Sequence, residues 1–450
     1  MPTMIISHLR AAWLLIGLLL LWGCRSPELG LSPRAAPLPA VADSPFWQAL
    51  SALDWKTLDA LTVTPEQSAL GKAVRLITEG KNETAERVLR WIIIQDKDQA
   101  LTDQAYFFLF NLLFLQGRWS ELTALGWGGD FDDVNGTFIV AFDNMAPEQI
   151  NIPAQSVVLP YRMRFGSPVV DVQVNGQSEK FLLDTGSTFS AIASDVADKC
   201  GVKKLESRHS RARTATSKKV YFQSGVITDL RLGAIQFVNH PVMIVPKKDM
   251  RIKRSLIRLQ RVEEISGTIG WHALQHLRIT VDSRTGTLTF RRGGEPDPEA
   301  SPDSRNFFWL GYPIVRTRTA QGVSLHFGVD TGAERTSLTE SALKKIPAAG
   351  IRLIRRTVMS VGGSERRRYP VVLSLALLLG EKEWQIRDAT VFPPFRTSAM
   401  IPLDGRIGCD LFKNGTVTID FKAGLLAFRP FTADAASTNG LPHESGDGHE

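Results

Sequence analysis

Two stretches of this chain repeat one another, and that repeat limits the folds open to it more than any other feature. FLLDTGSTFSAI carries an aspartate at Asp184, and FGVDTGAERTSL carries one at Asp330. Each reads as an apolar strand that delivers a carboxylate into a tight Thr-Gly turn, followed by a small residue and a new apolar run. One Asp-Thr-Gly is a roughly one-in-several-thousand event per position and would be only a turn between strands. Two copies in matching contexts are another matter. Gly166, Pro168, Val169 and Val170 precede the first aspartate, and Gly311, Pro313, Ile314 and Val315 precede the second. The offsets from glycine to aspartate are 18 and 19 residues (184 − 166 and 330 − 311). Downstream lie Gly267-Thr268-Ile269-Gly270 and Gly405-Arg406-Ile407-Gly408, followed by Leu274 and Leu411. Two alternating hairpins, ITVDSRTGTLTF and VTIDFKAGLLAF, close the repeats. The chain contains an internal duplication whose halves form one site.

On these residues the stretch from about 156 to 431 resembles the pepsin and retropepsin superfamily of aspartic peptidases, in particular its bacterial retropepsin-like members. The resemblance implies a mainly β, bilobal acid-protease fold with Asp184 and Asp330 as the catalytic pair. It implies loop-supporting roles for Thr185, Gly186 and Ser187 in one lobe and Thr331, Gly332 and Ala333 in the other. Ile269 and Gly270, and Ile407 and Gly408, would brace the loops from behind. Arg406 departs from the pattern, because it stands where the family places an apolar residue.

Two carboxylates within hydrogen-bonding distance cannot both ionise cheaply, so they share a proton and titrate as a unit. Such a pair holds a water between an acid and a base: one carboxylate takes a proton as the water attacks a peptide carbonyl, and the other donates to the developing oxyanion. The resemblance further implies that Thr185 and Thr331 hydrogen-bond across the lobes and that Ser187 donates to Asp184. Asp330, followed by Ala333, would lack that donor, giving a dyad less acidic than one with serine in both loops. The reading is an aspartic endopeptidase acting on peptides or proteins; the alternative is a catalytically inactive, peptide-binding scaffold of the same fold.

RHSRARTATSKKVYFQSGV occupies the place of a flap in lobe 1, with Thr216 and Ser217 at its tip, and TVMSVGGSERRRYPVV does so in lobe 2, with Gly362 and Gly363. Neither Tyr221 nor Tyr369 is assigned as a flap tyrosine. Residues 294–304 form a Pro- and acid-rich connection between lobe 1 (156–293) and lobe 2 (305–431). A covalent tether makes the meeting of two aspartates intramolecular, so a monomeric catalytic unit is expected. The polar tail 432–450 is expected to be disordered.

The N-terminus supplies a location. Residues 1–24 combine Arg10, the apolar run AAWLLIGLLLLW and Gly23-Cys24, which is too short for an ordinary spanning helix and fits a signal peptide. Leu21, Gly23 and Cys24 resemble a bacterial lipobox, implying lipidation at Cys24 and a membrane partner through that lipid; Arg25 after the cysteine favours the outer membrane of the cell envelope. Residues 25–43 read as a tether. Residues 44–126 show helical periodicity, with Ser44-Pro45 and Thr64-Pro65-Glu66 as starts and Gly80 and Gly117 as breaks. They look like one or two tetratricopeptide-type hairpins, serving either as an interaction module or as a cap on the catalytic unit. Residues 127–155, with the short apolar run TFIVAF and then a polar, proline-containing stretch, read as a linker with one or two strands of unassigned partner.

The net charge of +7 gathers at Arg208 to Lys219, at Lys247 to Arg261 and at Arg366 to Arg368. With an export signal, such patches point away from nucleic acid and toward an anionic surface, acidic substrate segments or plain solvation. Of three cysteines, Cys200 and Cys409 read as small buried hydrophobes rather than a bridge. Eight scattered histidines, with His272 and His276 lacking an acidic ligand pattern, argue against a metal site. No cofactor is implied.

Overall fold

The computed structural model describes residues 44–431 except 128–133, 144, 165, 207–209, 214–218, 257–258, 296–304, 347–348, 361–362 and 395–398. Cys24, Thr216, Ser217 and Gly362 therefore lie outside the described residues, as do the expected tether, most of the interlobe connection and the tail.

Helices open the described chain at Pro45–Ala52, Trp55–Leu61, Pro65–Thr78, Asn82–Gln95, Gln99–Leu115 and Trp119–Ala124. Their ends follow from the sequence. Thr64 Oγ1 accepts the Gln67 N–H at 3.1 Å while Gln67 Oε1 accepts the Thr64 N–H at 3.3 Å, a reciprocal cap. Gly80 and Gly117 take φ of 73° and 67°, the left-handed conformation that ends a helix at least cost in glycine. The segment read as a linker with one or two strands holds one strand among its described residues, Gln149–Asn151, which pairs antiparallel with Ile235–Val245, but its apolar run TFIVAF lies in a helix, Val134–Phe142. Its β-branched and aromatic composition favours a strand locally. At helical spacing, however, Phe138 and Phe142 share one face and stack at 5.4 Å between centroids, and both are buried with Ile139. Tertiary burial overrides the local preference.

Each duplicated half folds into the same strand arrangement. In lobe 1 the strand Gln177–Leu183, which ends at Asp184, runs parallel to Gly267–Ile269; that short strand lies antiparallel to Ser190–Ala193, which in turn runs parallel to Ile235–Val245. In lobe 2 the corresponding strands are Ser324–Val329, Gly405–Ile407, Ser337–Thr339 and Lys382–Phe392, paired in the same senses. The register repeats as well. Leu182 faces Thr268 as Gly328 faces Arg406, so Thr268 and Arg406 are equivalent positions. The two terminal hairpins meet in a third sheet, where Leu277–Asp282 pairs antiparallel with Gly415–Asp420 about Thr280 opposite Thr418. This shared sheet fixes the lobes to each other.

Long hairpins stand in both flap places: Ser210–Arg213 against Lys219–Leu232 in lobe 1, and Ala349–Ser360 against Gly363–Leu379 in lobe 2. Gly363 pairs with Ser360 at the end of its ladder. Tyr221 is exposed, whereas Tyr369 is buried against Phe392 at 5.1 Å between ring centroids. A further hairpin, Arg251–Leu256 with Leu259–Glu264, was not legible as structure in the basic segment that contains it. The helical region packs on the β unit, on lobe 1 through Phe189 and on lobe 2 through Arg305 and the strand Phe307–Trp309. Phe189, five residues after Asp184, stacks on Phe138 at 3.7 Å and meets Phe114 and Trp119 at 5.4 and 6.1 Å. Gln275 Nε2 donates to the Leu115 carbonyl at 2.9 Å, and Arg305 Nε to the Thr78 carbonyl at 3.2 Å. Of the two roles considered for the helices, these contacts are those of a cap on the β unit.

Candidate active site

The site is made where the two Asp-Thr-Gly loops meet. Asp184 N–H donates to the Ile269 carbonyl and Asp330 N–H to the Ile407 carbonyl, each at 3.0 Å, so the two bracing strands hold the two aspartates alike. Thr185 N–H donates to Thr331 Oγ1 and Thr331 N–H to Thr185 Oγ1, both at 3.0 Å. The hydroxyls donate onward across the lobes, Thr185 to the Val329 carbonyl and Thr331 to the Leu183 carbonyl, both at 2.8 Å. Four mutual hydrogen bonds between buried groups fix one loop against the other; each is worth about 1 kcal/mol net, and more when broken on one side only.

Glycine is required where the loops close. A β-carbon on Gly186 would lie 2.5 Å from Asp330 Oδ1, and one on Gly332 would lie 2.5 Å from Asp184 Oδ1. Each carboxylate thus abuts the other's loop, and no side chain fits between them. The inner oxygens are held by backbone: Gly186 N–H donates to Asp184 Oδ1 at 3.0 Å and Gly332 N–H to Asp330 Oδ1 at 2.9 Å. The bracing glycines are needed for the same reason, since a β-carbon on Gly270 would strike the Phe189 carbonyl carbon at 2.3 Å and one on Gly408 the Arg335 carbonyl carbon at 2.6 Å.

Burial, then the neighbouring Asp330 charge, push the Asp184 carboxyl up to about 7, against smaller opposing contributions from Gly186 and Arg406. Ser187 does not take part as the resemblance implies. Its hydroxyl donates to the Phe189 carbonyl at 2.8 Å, and with one proton to give it does not also donate to Asp184; its backbone N–H turns back to the Asp184 carbonyl at 3.3 Å. The expectation that the Ser187 and Ala333 difference sets the dyad's acidity is thereby corrected.

Two residues beside the pair were not assigned a role from sequence. Arg406, noted only as a departure, places Nη1 2.8 Å from Asp330 Oδ2. Tyr312 is buried with its hydroxyl bonded to Arg406, and it lies 2.8 Å from where a β-carbon on Gly186 would be. Burial first, then Asp330, raise the Tyr312 phenol well above its ordinary value, so it is neutral. Aligning the duplicated halves carried the signal: Tyr312 answers to Ser167 in the Gly-x-Pro element, and Arg406 to Thr268. Both large polar side chains belong to lobe 2.

Behind the Asp184 loop lies a second network. Ser190 Oγ accepts the Gly270 N–H at 3.1 Å and meets His240 Nε2 at 2.7 Å; His240 Nδ1 binds Glu148, whose other oxygen is 3.1 Å from His272 Nε2. His272 thus has an acidic partner, contributed by a residue far away in sequence. Burial would raise the Glu148 carboxyl, but His240 and then His272 outweigh it and hold the group down to about 2. Cys200 and Cys409 are both free and buried.

Two lobes of one strand plan, in each of which one strand ends in an Asp-Thr-Gly loop at their junction, make the bilobal, mainly β arrangement that the sequence resemblance implies. A protein-family profile described as "gag-polyprotein putative aspartyl protease" matches residues 170–257, which take in the Asp184 loop but not Asp330. No curated protein matches the sequence significantly. Among solved structures, the aspartic proteinase from Irpex lacteus is similar over 63% of this chain and 100% of its own, at 12% identity and a TM-score of 0.40. Basic 7S globulin from soybean is similar over 61% of this chain and 95% of its own, at 14% identity and a TM-score of 0.35.

Proposed function

We propose that this chain is an aspartic endopeptidase that hydrolyses peptide bonds with a water activated between Asp184 and Asp330. The observation that carries the reading is the reciprocal placement of the carboxylates, each against the glycine of the other's loop with its inner oxygen held by a backbone N–H. A raised Asp184 beside a second carboxylate supplies an acid and a base in one place at mildly acidic to neutral pH. No covalent acyl-enzyme is needed: water adds to the carbonyl carbon, its proton goes to one carboxylate, and the carbonyl oxygen takes the proton of the other. The N-terminal segment suggests lipid anchoring through Cys24 in a bacterial envelope; the enzyme acts there as a monomer on peptide or protein substrates and carries tetratricopeptide-like helices as a cap on the β unit.

The test is incubation of the full chain with a peptide library at several pH values, with and without a statine-containing peptide that mimics the hydrated carbonyl. Cleavage that the mimic suppresses supports the reading. One observation favours the rival, a scaffold that binds peptides without cutting them: Arg406 donates to Oδ2 of Asp330, which leaves that oxygen one lone pair fewer for a water. Binding of library peptides with no cleavage at any pH would select that rival.

A further inference from the structure

We propose that Arg406, backed by Tyr312, decides where the dyad's shared proton rests: on Asp184, leaving Asp330 as the carboxylate that takes a proton from water and Asp184 as the acid. This rests on the reading of the two aspartates as the catalytic pair, and it adds an order of events that the duplicated loops alone leave open.

The backbone treats the two carboxylates alike, so only their other neighbours can tell them apart. Asp330 Oδ1 accepts the Gly332 N–H at 2.9 Å and Oδ2 faces Arg406 Nη1 at 2.8 Å. Asp184 Oδ1 accepts the Gly186 N–H at 3.0 Å, and the strand position that would bring a cation to it holds Thr268, the register equivalent of Arg406. Among the described residues, the titratable groups facing the pair are Arg406, Tyr312 and Cys409. Burial keeps Tyr312 and Cys409 neutral, each well above its ordinary value, which leaves Arg406 as the charged neighbour. Burial disfavours its charge, but the neighbouring Asp330 carboxylate more than offsets this, so the guanidinium stays protonated. A cation in contact with one member of a carboxylate pair favours ionisation of that member. The raised Asp184 carboxyl agrees with the proton's residing there.

In the hydrolytic step one proton passes from water to Asp330 as the water oxygen bonds to the carbonyl carbon. Another passes from Asp184 to the carbonyl oxygen, so the tetrahedral adduct is neutral and the single negative charge ends on Asp184. Charge and atoms balance with no further reactant. Arg406 touches neither water nor substrate in this scheme and acts as a positioning residue through Asp330.

The sign of the test follows. An adjacent cation lowers the pH at which the mono-protonated pair gains its second proton, so removing it raises the acidic limb of kcat/KM. On one cleavable peptide, with the full chain, Arg406→Leu is expected to move that limb upward by about one to two units. Arg406→Lys, which keeps the charge, is expected to leave it within about half a unit. The pH dependence of binding of a statine-containing peptide should shift with the limb, which gives a reading even where turnover is slow. Should Arg406→Leu not fold, Arg406→Gln removes the same charge and is expected to shift the same way. A limb that stays put in the folded neutral variant, or that moves as far in Arg406→Lys, overturns the inference. Asp184→Asn and Asp330→Asn separate this failure from failure of the dyad: if either still cleaves, the catalytic pair itself is wrong, and if both are inactive while the limb stays put, only the role of Arg406 falls.

Discussion

The loops of Asp184 and Asp330 make the same backbone hydrogen bonds and the same closures over glycine, but they are buttressed from behind in different ways. In lobe 2 the support is local: Gly408 N–H donates to Thr336 Oγ1 at 3.1 Å, and Thr336 donates to Asp410 Oδ1 at 2.7 Å. In lobe 1 the equivalent Gly270 N–H reaches Ser190, and from there the chain of contacts runs through His240 and Glu148 to His272. Phe189 then seats the loop on the helical cap, through Phe138, Phe114 and Trp119. Lobe 2 instead brings its large polar residues, Arg406 and Tyr312, to the carboxylate itself. One duplicated half has thus become the half that is held, and the other the half that biases the chemistry.

This contrast can be broken at three strengths. The largest expected effect comes from Phe138→Ala, which empties the stack under Phe189 and should cost about 3–5 kcal/mol of stability. Amide exchange should rise at residues 184–190 and stay unchanged at 330–336; equal loosening of both loops would show that the cap supports the whole unit and not lobe 1 in particular.

A smaller loss is expected from Glu148→Gln. Because its folded pKa is held below the ordinary 4.5, the carboxylate's contribution is fully present above about pH 4.5 and fades as the pH falls toward 2. Denaturant titration at neutral pH should therefore show a loss of about 3 kcal/mol that disappears at low pH. Asp410→Ala, which removes the two hydrogen bonds that Asp410 Oδ1 accepts from Thr336, should cost about 1–2 kcal/mol. Equal losses in the two variants would contradict the difference in buttressing.

The smallest effect is expected from Ser187→Ala. Since that hydroxyl donates to the Phe189 carbonyl, its loss should move the dyad's pH limbs by no more than a few tenths of a unit, within the modest energy of one hydrogen bond. A shift of a full unit would place the hydroxyl on Asp184 after all.

The aspartate loops, their bracing strands and the helix ends were legible because each is written locally, and the first two are written twice. The Glu148 network was not, since its members stand at positions 148, 190, 240 and 272 and converge only through the sheet order. The helix Val134–Phe142 was missed because its composition favours a strand and only its burial favours a helix. Ser187 was misassigned for a subtler reason. Two acceptors lie within reach of one rotating hydroxyl, and no sequence pattern states which it takes. Arg406 was visible as an exception, but its partner required the register that sets it beside Asp330.

The most direct measurement is cleavage of one library-derived peptide by Asp184→Asn and Asp330→Asn, made in the full chain and checked for folding. An amide fills the same volume but cannot alternate between acid and base. Both variants should lose essentially all turnover while remaining folded. Asp184→Asn should also be more stable than the parent at neutral pH, because a carboxyl raised to about 7 penalises the fold progressively as the pH climbs above its unfolded value. Turnover above roughly a hundredth of the parent rate in either folded variant, a loss of less than about 2.7 kcal/mol of transition-state stabilisation, would contradict the account of a two-carboxylate hydrolase.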